Sequence, residues 1–321
     1  MSGDVGGISR RALSAAIGAA LFAPGVARGQ VGNEEDTAQV ALIEDVSRRM
    51  TGPVRVNGRG PFSFVIDTGA NVTVISQELA EALGLEPTGE GSVHGIVGVE
   101  RTPTTLVSRL TIGAVRASNL QTPILRRREL GGDGLLGVDV MRNRVVRLDF
   151  AKWAFQIGST DPGFRSIGEG GRLTRGFGEM LVGDAVVAPA RQRFGQLMTV
   201  NASMKGVRVS AFIDSGAQST VGNAALLRAT RGVLGEGEQS TRVTLVSATG
   251  QTIGGDLLTL PELRIGRVRL GRLPVAFADL HAFDIWGLQD TPAILIGMDV
   301  LRRFRSVELN FRRSHVVFEG A

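Results

Sequence analysis

The chain has 321 residues, with no cysteine, no tyrosine, three histidines and 44 glycines. Without cysteine there is no disulfide framework, thiol nucleophile or thiolate-held metal, and His94, His281 and His315 are too scattered to suggest a His-rich metal site. The net charge of +5 and the pI near 10.8 partly reflect the missing Tyr and Cys: the cations are nearly all arginine, spread along the chain, and the densest run, Arg126-Arg127-Arg128, is too short for a nucleic-acid groove.

Residues 1–29 read as an export signal. Arg10 and Arg11 precede an apolar stretch from Ala12 to Val26 that is too short to span a membrane, and small residues allow cleavage after Ala27 or Gly29. Ser9-Arg10-Arg11-Ala12-Leu13 resembles the twin-arginine export motif, with the general secretory route as the alternative. A periplasmic or otherwise exported chain is expected, with no membrane span left after processing. The acidic Glu34-Glu35-Asp36 that follows reads as a solvated leader.

Val54 to Gly58 and Phe62 to Ile66 predict a hairpin with Asn57-Gly58 as its turn, running into Asp67-Thr68-Gly69-Ala70. A short helix is expected over Gln77 to Leu83, ended by Gly84. Leu135-Leu136-Gly137 then precedes a short helix over Asp139 to Arg144 and a strand from Val146 to Phe150. Gly, Ser, Asp and Pro cluster over 158–178, as in a connector. After it the pattern returns. Thr199 to Ala202 and Val207 to Ile213 predict a second hairpin, with a longer turn, running into Asp214-Ser215-Gly216-Ala217; Leu295-Ile296-Gly297 precedes a helix over Asp299 to Phe304 and a strand from Val307 to Phe311. The two aspartates are 147 residues apart and the two signature glycines 160. The mature chain is therefore read as an internal duplication, with lobes at 30–165 and 166–321. Short strands, Gly-rich turns, few short helices (two small ones per half) and no βαβ alternation predict an all-β pair of barrels.

An Asp-Thr/Ser-Gly triplet alone reads as a turn; two copies, each flanked by β-rich runs and followed by an apolar-apolar-Gly signature, read otherwise. Asp67-Thr68-Gly69-Ala70-Asn71-Val72-Thr73-Val74-Ile75 and its second copy resemble the active-site motif of retroviral-type (retropepsin-like) aspartic proteases, and Leu135-Leu136-Gly137 and Leu295-Ile296-Gly297 resemble that family's second signature. The resemblance spans about 50–321. It implies two acid-protease β-barrel lobes and an endopeptidase whose catalytic Asp67 and Asp214 activate a water. Thr68, Gly69, Ser215 and Gly216 would support them, and a monomer would complete the site without metal or cofactor. It also implies flaps, with candidate tips at Gly95, Ile96, Val97 and Gly98 beside His94, and at Ala248, Thr249 and Gly250; the pepsin-like flap tyrosine has no counterpart here. A peptide or protein substrate is expected. The alternatives are a catalytically inactive peptide-binding module on the same fold and a structural β-protein of the envelope. His94 reads as a solvated loop residue, Asp139, Asp299, Arg142 and Arg302 as caps or ion pairs, and Trp153 and Trp286 as core or barrel-seam residues.

Overall fold

A computed structural model describes residues 49–95, 97–158, 185–193, 195–233 and 240–320, together with the backbone of short strand segments at Ala15–Ile17, Leu21–Phe22, Gln30–Val31, Ala38–Ala41, Ile43–Glu44 and Leu181–Val182. The leader at 1–29 lies outside the described residues except for two of those segments, and the connector expected at 158–178 lies outside them after Gly158.

The first half contains β1 (Met50–Val56), β2 (Arg59–Ile66), β3 (Val74–Ser76), α1 (Gln77–Leu83), β4 (Pro87–His94), β5 (Val99–Ile112), β6 (Val115–Leu125), α2 (Arg127–Leu130), β7 (Gly134–Leu136), α3 (Val138–Met141), β8 (Val145–Asp149) and β9 (Ala154–Gly158). The second contains β10 (Ala185–Arg193), β11 (Gln196–Met204), β12 (Val207–Ile213), β13 (Val221–Gly222), α4 (Ala224–Thr230), β14 (Thr241–Ser247), β15 (Thr252–Ile265), β16 (Val268–Phe277), α5 (His281–Ile285), β17 (Ala293–Ile296), α6 (Met298–Leu301), β18 (Ser306–Asn310) and β19 (His315–Glu319). From β1 to β8 and from β11 to β18 the succession of strands and α-helices is the same, with one 3-10 turn (Arg231–Val233) added after α4. The strand order is also the same, β4-β5-β6-β3-β7-β2-β1 in one lobe and β14-β15-β16-β13-β17-β12-β11 in the other. Each sheet folds back on itself through one more pairing, β5 with β1 and β15 with β11. The fold is all-β, two lobes built by duplication with a few short helices.

Local sequence explains the elements. Asn57 and Gly58 take positive φ (50° and 81°), as a tight hairpin turn demands. α1 starts where the Ser76 hydroxyl accepts the Leu79 N–H at 3.1 Å and stops at Gly84, whose left-handed φ of 66° a residue with a Cβ adopts only with strain. The β5–β6 and β15–β16 hairpins alternate inward Val, Leu and Ile with outward polar residues, and these inward side chains fill the core with Phe64, Ile66 and Ile213. β7 and β17 are buried along their whole length, as their uninterrupted apolar sequences require. One expectation fails: the second hairpin does not have the longer turn. It closes on Lys205-Gly206, both at positive φ, and the extra length is taken up by an irregularity between Thr199 and Ala202 in β11. Each lobe also carries one helix more than expected, α2 and α5. Both are too short for a 3.6-residue periodicity to mark them.

The lobes are tied by a shared sheet in the order β10-β19-β18-β8-β9. Its central pair is β8 of the first half against β18 of the second, centred on Arg147 and Glu308, so that Val145 meets Asn310 just as Asp149 meets Ser306. The two strands follow equivalent signatures. Their symmetric pairing places the two signature loops, and the aspartates beside them, across an approximate two-fold axis.

Candidate active site

Asp67 and Asp214 sit at the ends of β2 and β12. Each of these strands runs parallel to its signature strand, β7 or β17. The Asp67 N–H donates to the Leu136 carbonyl at 3.1 Å and the Asp214 N–H to the Ile296 carbonyl at 3.0 Å. One oxygen of each carboxylate is held by its own loop: Asp67 Oδ1 accepts from the Gly69 and Ala70 N–H groups, both at 2.9 Å, and Asp214 Oδ1 from those of Gly216 (2.8 Å) and Ala217 (3.1 Å). The Oδ2 atoms are buried and accept no protein donor.

The two loops face each other at closest approach. A Cβ on Gly69 would stand 2.3 Å from Asp214 Oδ2, and one on Gly216 would stand 2.3 Å from Asp67 Oδ2. Glycine is required at both positions because each carboxyl occupies the space where the opposite loop would carry a side chain. Between the loops the hydroxyls cross over. Thr68 Oγ1 donates to the Ile213 carbonyl (2.9 Å) and accepts the Ser215 N–H (3.0 Å); Ser215 Oγ donates to the Ile66 carbonyl (2.8 Å) and accepts the Thr68 N–H (3.1 Å). These four bonds run between the lobes and are buried.

The electrostatics follow from the geometry. Burial pushes the Asp67 carboxyl well above the ordinary carboxylate range, and the charge of Asp214 pushes it further. Asp214 is raised from 3.8 to about 6, again mainly by burial. The loop N–H groups and the Arg49 guanidinium act on both carboxyls in the opposite sense. Two buried carboxyls this close titrate as a pair, holding one proton between them over a wide range of pH.

Three supports escape the sequence reading. Thr73 and Thr220, six residues after each aspartate, donate their hydroxyls to Asp139 and Asp299 at 2.7 Å and accept the Gly137 and Gly297 N–H groups at 3.1 Å. Asp139 and Asp299 therefore do more than cap short helices: each locks the loop after an aspartate to the signature of the same lobe. Gln196 reaches from the second lobe to donate to the Gly69 carbonyl. Arg49 sits two residues before the Thr51–Val65 pairing, as Gln196 sits two before the Met198–Phe212 pairing. Arg49 is buried, donates to the Leu130 carbonyl at 2.7 Å, and carries its charge toward both aspartates. The repeat marks this pair of positions in the alignment of the two halves, but the residue types differ and so hide it.

The segments named as flap tips are the turns of two hairpins. Gly95 and Gly98 close β4–β5 through a 2.8 Å bond, with Val97 at the exposed tip; Ile96 lies outside the described residues. Ser247, Ala248, Thr249 and Gly250 close β14–β15, with Ala248 buried and the Ser247 and Thr249 hydroxyls 2.7 Å apart. The turns touch: a Cβ on Gly95 would lie 3.0 Å from Thr249 Oγ1. Each then crosses to the opposite lobe. His94 meets His281 at the start of α5, Nδ1 to Nε2 at 3.2 Å; with centroids 5.5 Å apart and planes within 11°, the rings lie edge to edge, nitrogen to nitrogen. Gly250 lies against Glu129 of α2, where a Cβ would come within 3.0 Å of the carboxylate. His94 is thus a cross-lobe contact and not a solvated loop residue. Trp286 is buried and stacked on Phe212 at 4.0 Å, while Trp153 lies half-buried under Arg302.

Among the described residues, no group of three or more His, Asp or Glu side chains converges as a metal site, and no helix is long and apolar enough to cross a membrane.

A family model, aspartyl protease, matches residues 52–140 and 200–300, together more than half of the chain. The chain belongs to the aspartyl protease family. The two matched regions each contain one aspartate loop and the apolar-apolar-Gly signature that follows it. No curated protein matches the chain.

Proposed function

We propose that the chain is an aspartic endopeptidase in which Asp67 and Asp214 together activate a water molecule for attack on a peptide bond. The observation that carries this reading is the pair of buried Oδ2 atoms, one from each lobe, without a protein donor and set against each other across the two glycine loops. Paired carboxyls of aspartic proteases are the standing example of two acids that share one proton because both cannot ionise side by side. The ionised member takes a proton from water as the oxygen attacks the scissile carbonyl carbon, and the protonated member gives its proton to the carbonyl oxygen. The carboxyl that took the water proton then gives it to the amide nitrogen, the other takes back the hydroxyl proton as the carbonyl re-forms, and the amine leaves as the C–N bond breaks, with no covalent intermediate needed. Closed hairpin tips over this floor would hold an extended peptide by strand-like pairing and keep bulk water out.

An inactive peptide-binding module on the same fold would be expected to have lost one aspartate or one facing glycine, and all four are kept. Asp67→Asn and Asp214→Asn should each abolish cleavage of denatured protein while the far-UV circular dichroism stays unchanged; full activity in either variant rules out the shared pair. Export belongs to the same reading, because the Arg10-Arg11 leader precedes the first matched strand. N-terminal sequencing of the secreted chain should then start after Ala27 or Gly29, and an intact Met1 on the mature protein would exclude it.

A further inference from the structure

The two ends of the cleft are built alike and charged differently. At one end the tip of β4–β5 rests on α5 through His94 and His281, and the first turn of α5, after Leu280, reads His281, Ala282, Phe283 and Asp284. At the other end the tip of β14–β15 rests on α2, which begins Arg126, Arg127, Arg128, Glu129. Between α2 and that tip lies a cavity of about 510 Å³, walled by Arg49, Arg126, Arg128 and Glu129 from the first lobe and by Gln218 and Thr249 from the second.

Two connections join this cavity to the aspartate pair. Gln218 directly follows Ala217, whose N–H holds the Asp214 carboxylate. Arg49, on the opposite wall, is the arginine whose charge reaches both Asp67 and Asp214. The cavity therefore shares its wall with the loop that holds Asp214.

Its exposed cations are Arg126 and Arg128, against one glutamate, while Arg49 is buried in the wall. Glu129 is nearly covered (9% exposed), lies under Gly250, and binds Arg126 at 2.6 Å with Arg128 at 4.0 Å. Its charge is used within the wall and leaves a cationic surplus facing the cavity. The guanidinium-bearing side chains of Arg126 and Arg128 remain 52% and 73% exposed, so they can meet an incoming carboxylate without a large loss of their own hydration. Arginine also offers a planar pair of donors that fits a carboxylate better than lysine does.

We propose that this cavity is a subsite for an aspartate or glutamate side chain of the peptide substrate, with Arg126 and Arg128 as its specificity-determining residues. The inference rests on the peptidase reading of the neighbouring aspartates. Because α5, the equivalent helix at the other end, carries no arginine or lysine, the preference falls on one side of the scissile bond and fixes the direction in which the peptide lies.

The test has two parts. A peptide mixture prepared by digesting a denatured proteome is cut with the full chain and with Arg128→Glu and Arg126→Gln variants, and the cut sites are identified by mass spectrometry. The wild type should enrich Asp and Glu at one position, always on the same side of the cut, by roughly fivefold, the scale of a solvated ion pair. Arg128→Glu should abolish or invert that enrichment and leave preferences at other positions in place. Uniform acceptance of charge at every position, or an enrichment untouched in both variants, overturns the subsite. In the second part, an alanine-leucine peptide series with Asp, Ala or Lys walked along it is titrated against the Asp67→Asn chain by fluorescence anisotropy. Tighter binding with Asp at one position, weakened by salt and lost in Arg128→Glu, supports the subsite even if the wild type cuts nothing, a result that would remove only the peptidase reading. Equal binding of all three series overturns the subsite alone.

Discussion

Replacing Thr68 by Val removes a hydroxyl and keeps the shape. Thr68 Oγ1 serves two partners across the lobe boundary, donating to the Ile213 carbonyl and accepting the Ser215 N–H, and all three groups are buried. The variant leaves one buried acceptor and one buried donor without a partner. Each orphaned group carries a penalty of about 1–3 kcal/mol, so the variant should lose about 2–6 kcal/mol, a large part of the 5–15 kcal/mol typical of a whole domain. Thr68→Ser keeps the hydroxyl and should lose under about 1.5 kcal/mol, mostly for the missing methyl. Ser215→Ala removes the two mirror-image bonds. Because the four bonds form one network, Thr68→Val with Ser215→Ala should cost less than the sum of the single changes. Urea unfolding followed by tryptophan fluorescence reads all four variants; Trp286 is buried on Phe212 next to the loop. A Thr68→Val midpoint within error of Thr68→Ser would refute the reasoning, because it would mean that the crossed hydroxyls carry no net energy.

The aspartate pair gives a second expectation. Asp214 is raised to about 6 from 3.8, so the folded chain binds more protons than the unfolded one between those values, and stability falls as pH rises through them. Asp214→Asn removes that loss: its gain over the wild type should be small at pH 4 and grow as pH rises towards 7. Unfolding curves across that range check it, and a gain that does not change with pH would mean that burial is not what raises the carboxyl.

The repeat, the two aspartates and the signature that follows each of them are legible from the sequence because they are local and occur twice. An Asp followed by a small hydroxyl residue and Gly at the end of an apolar strand is a continuous run of residues, and so is an Asn-Gly turn or a Ser-to-Gly capped helix such as α1. Family, fold class and the positions of Asp67 and Asp214 at the strand ends follow from such runs. Even the need for glycine at 69 and 216 is visible in part, although the reason is not: the space there is taken by the aspartate of the other lobe.

What the sequence leaves open are contacts between residues with no local pattern to link them. His94 and His281 are 187 residues apart and meet only because one hairpin crosses to the other lobe. Arg49 and Gln196 occupy matching places in the two halves but differ in chemistry, so neither predicts the other. The four-residue α2 is too short to carry a helical period, yet its position under the second hairpin turns an ordinary arginine run into the wall of a cavity beside the aspartates. Local hydrogen-bonding needs and apolar periodicity set the elements. Pairing about the Arg147–Glu308 centre sets which side chains face one another across the cleft, and that depends on the whole tertiary structure.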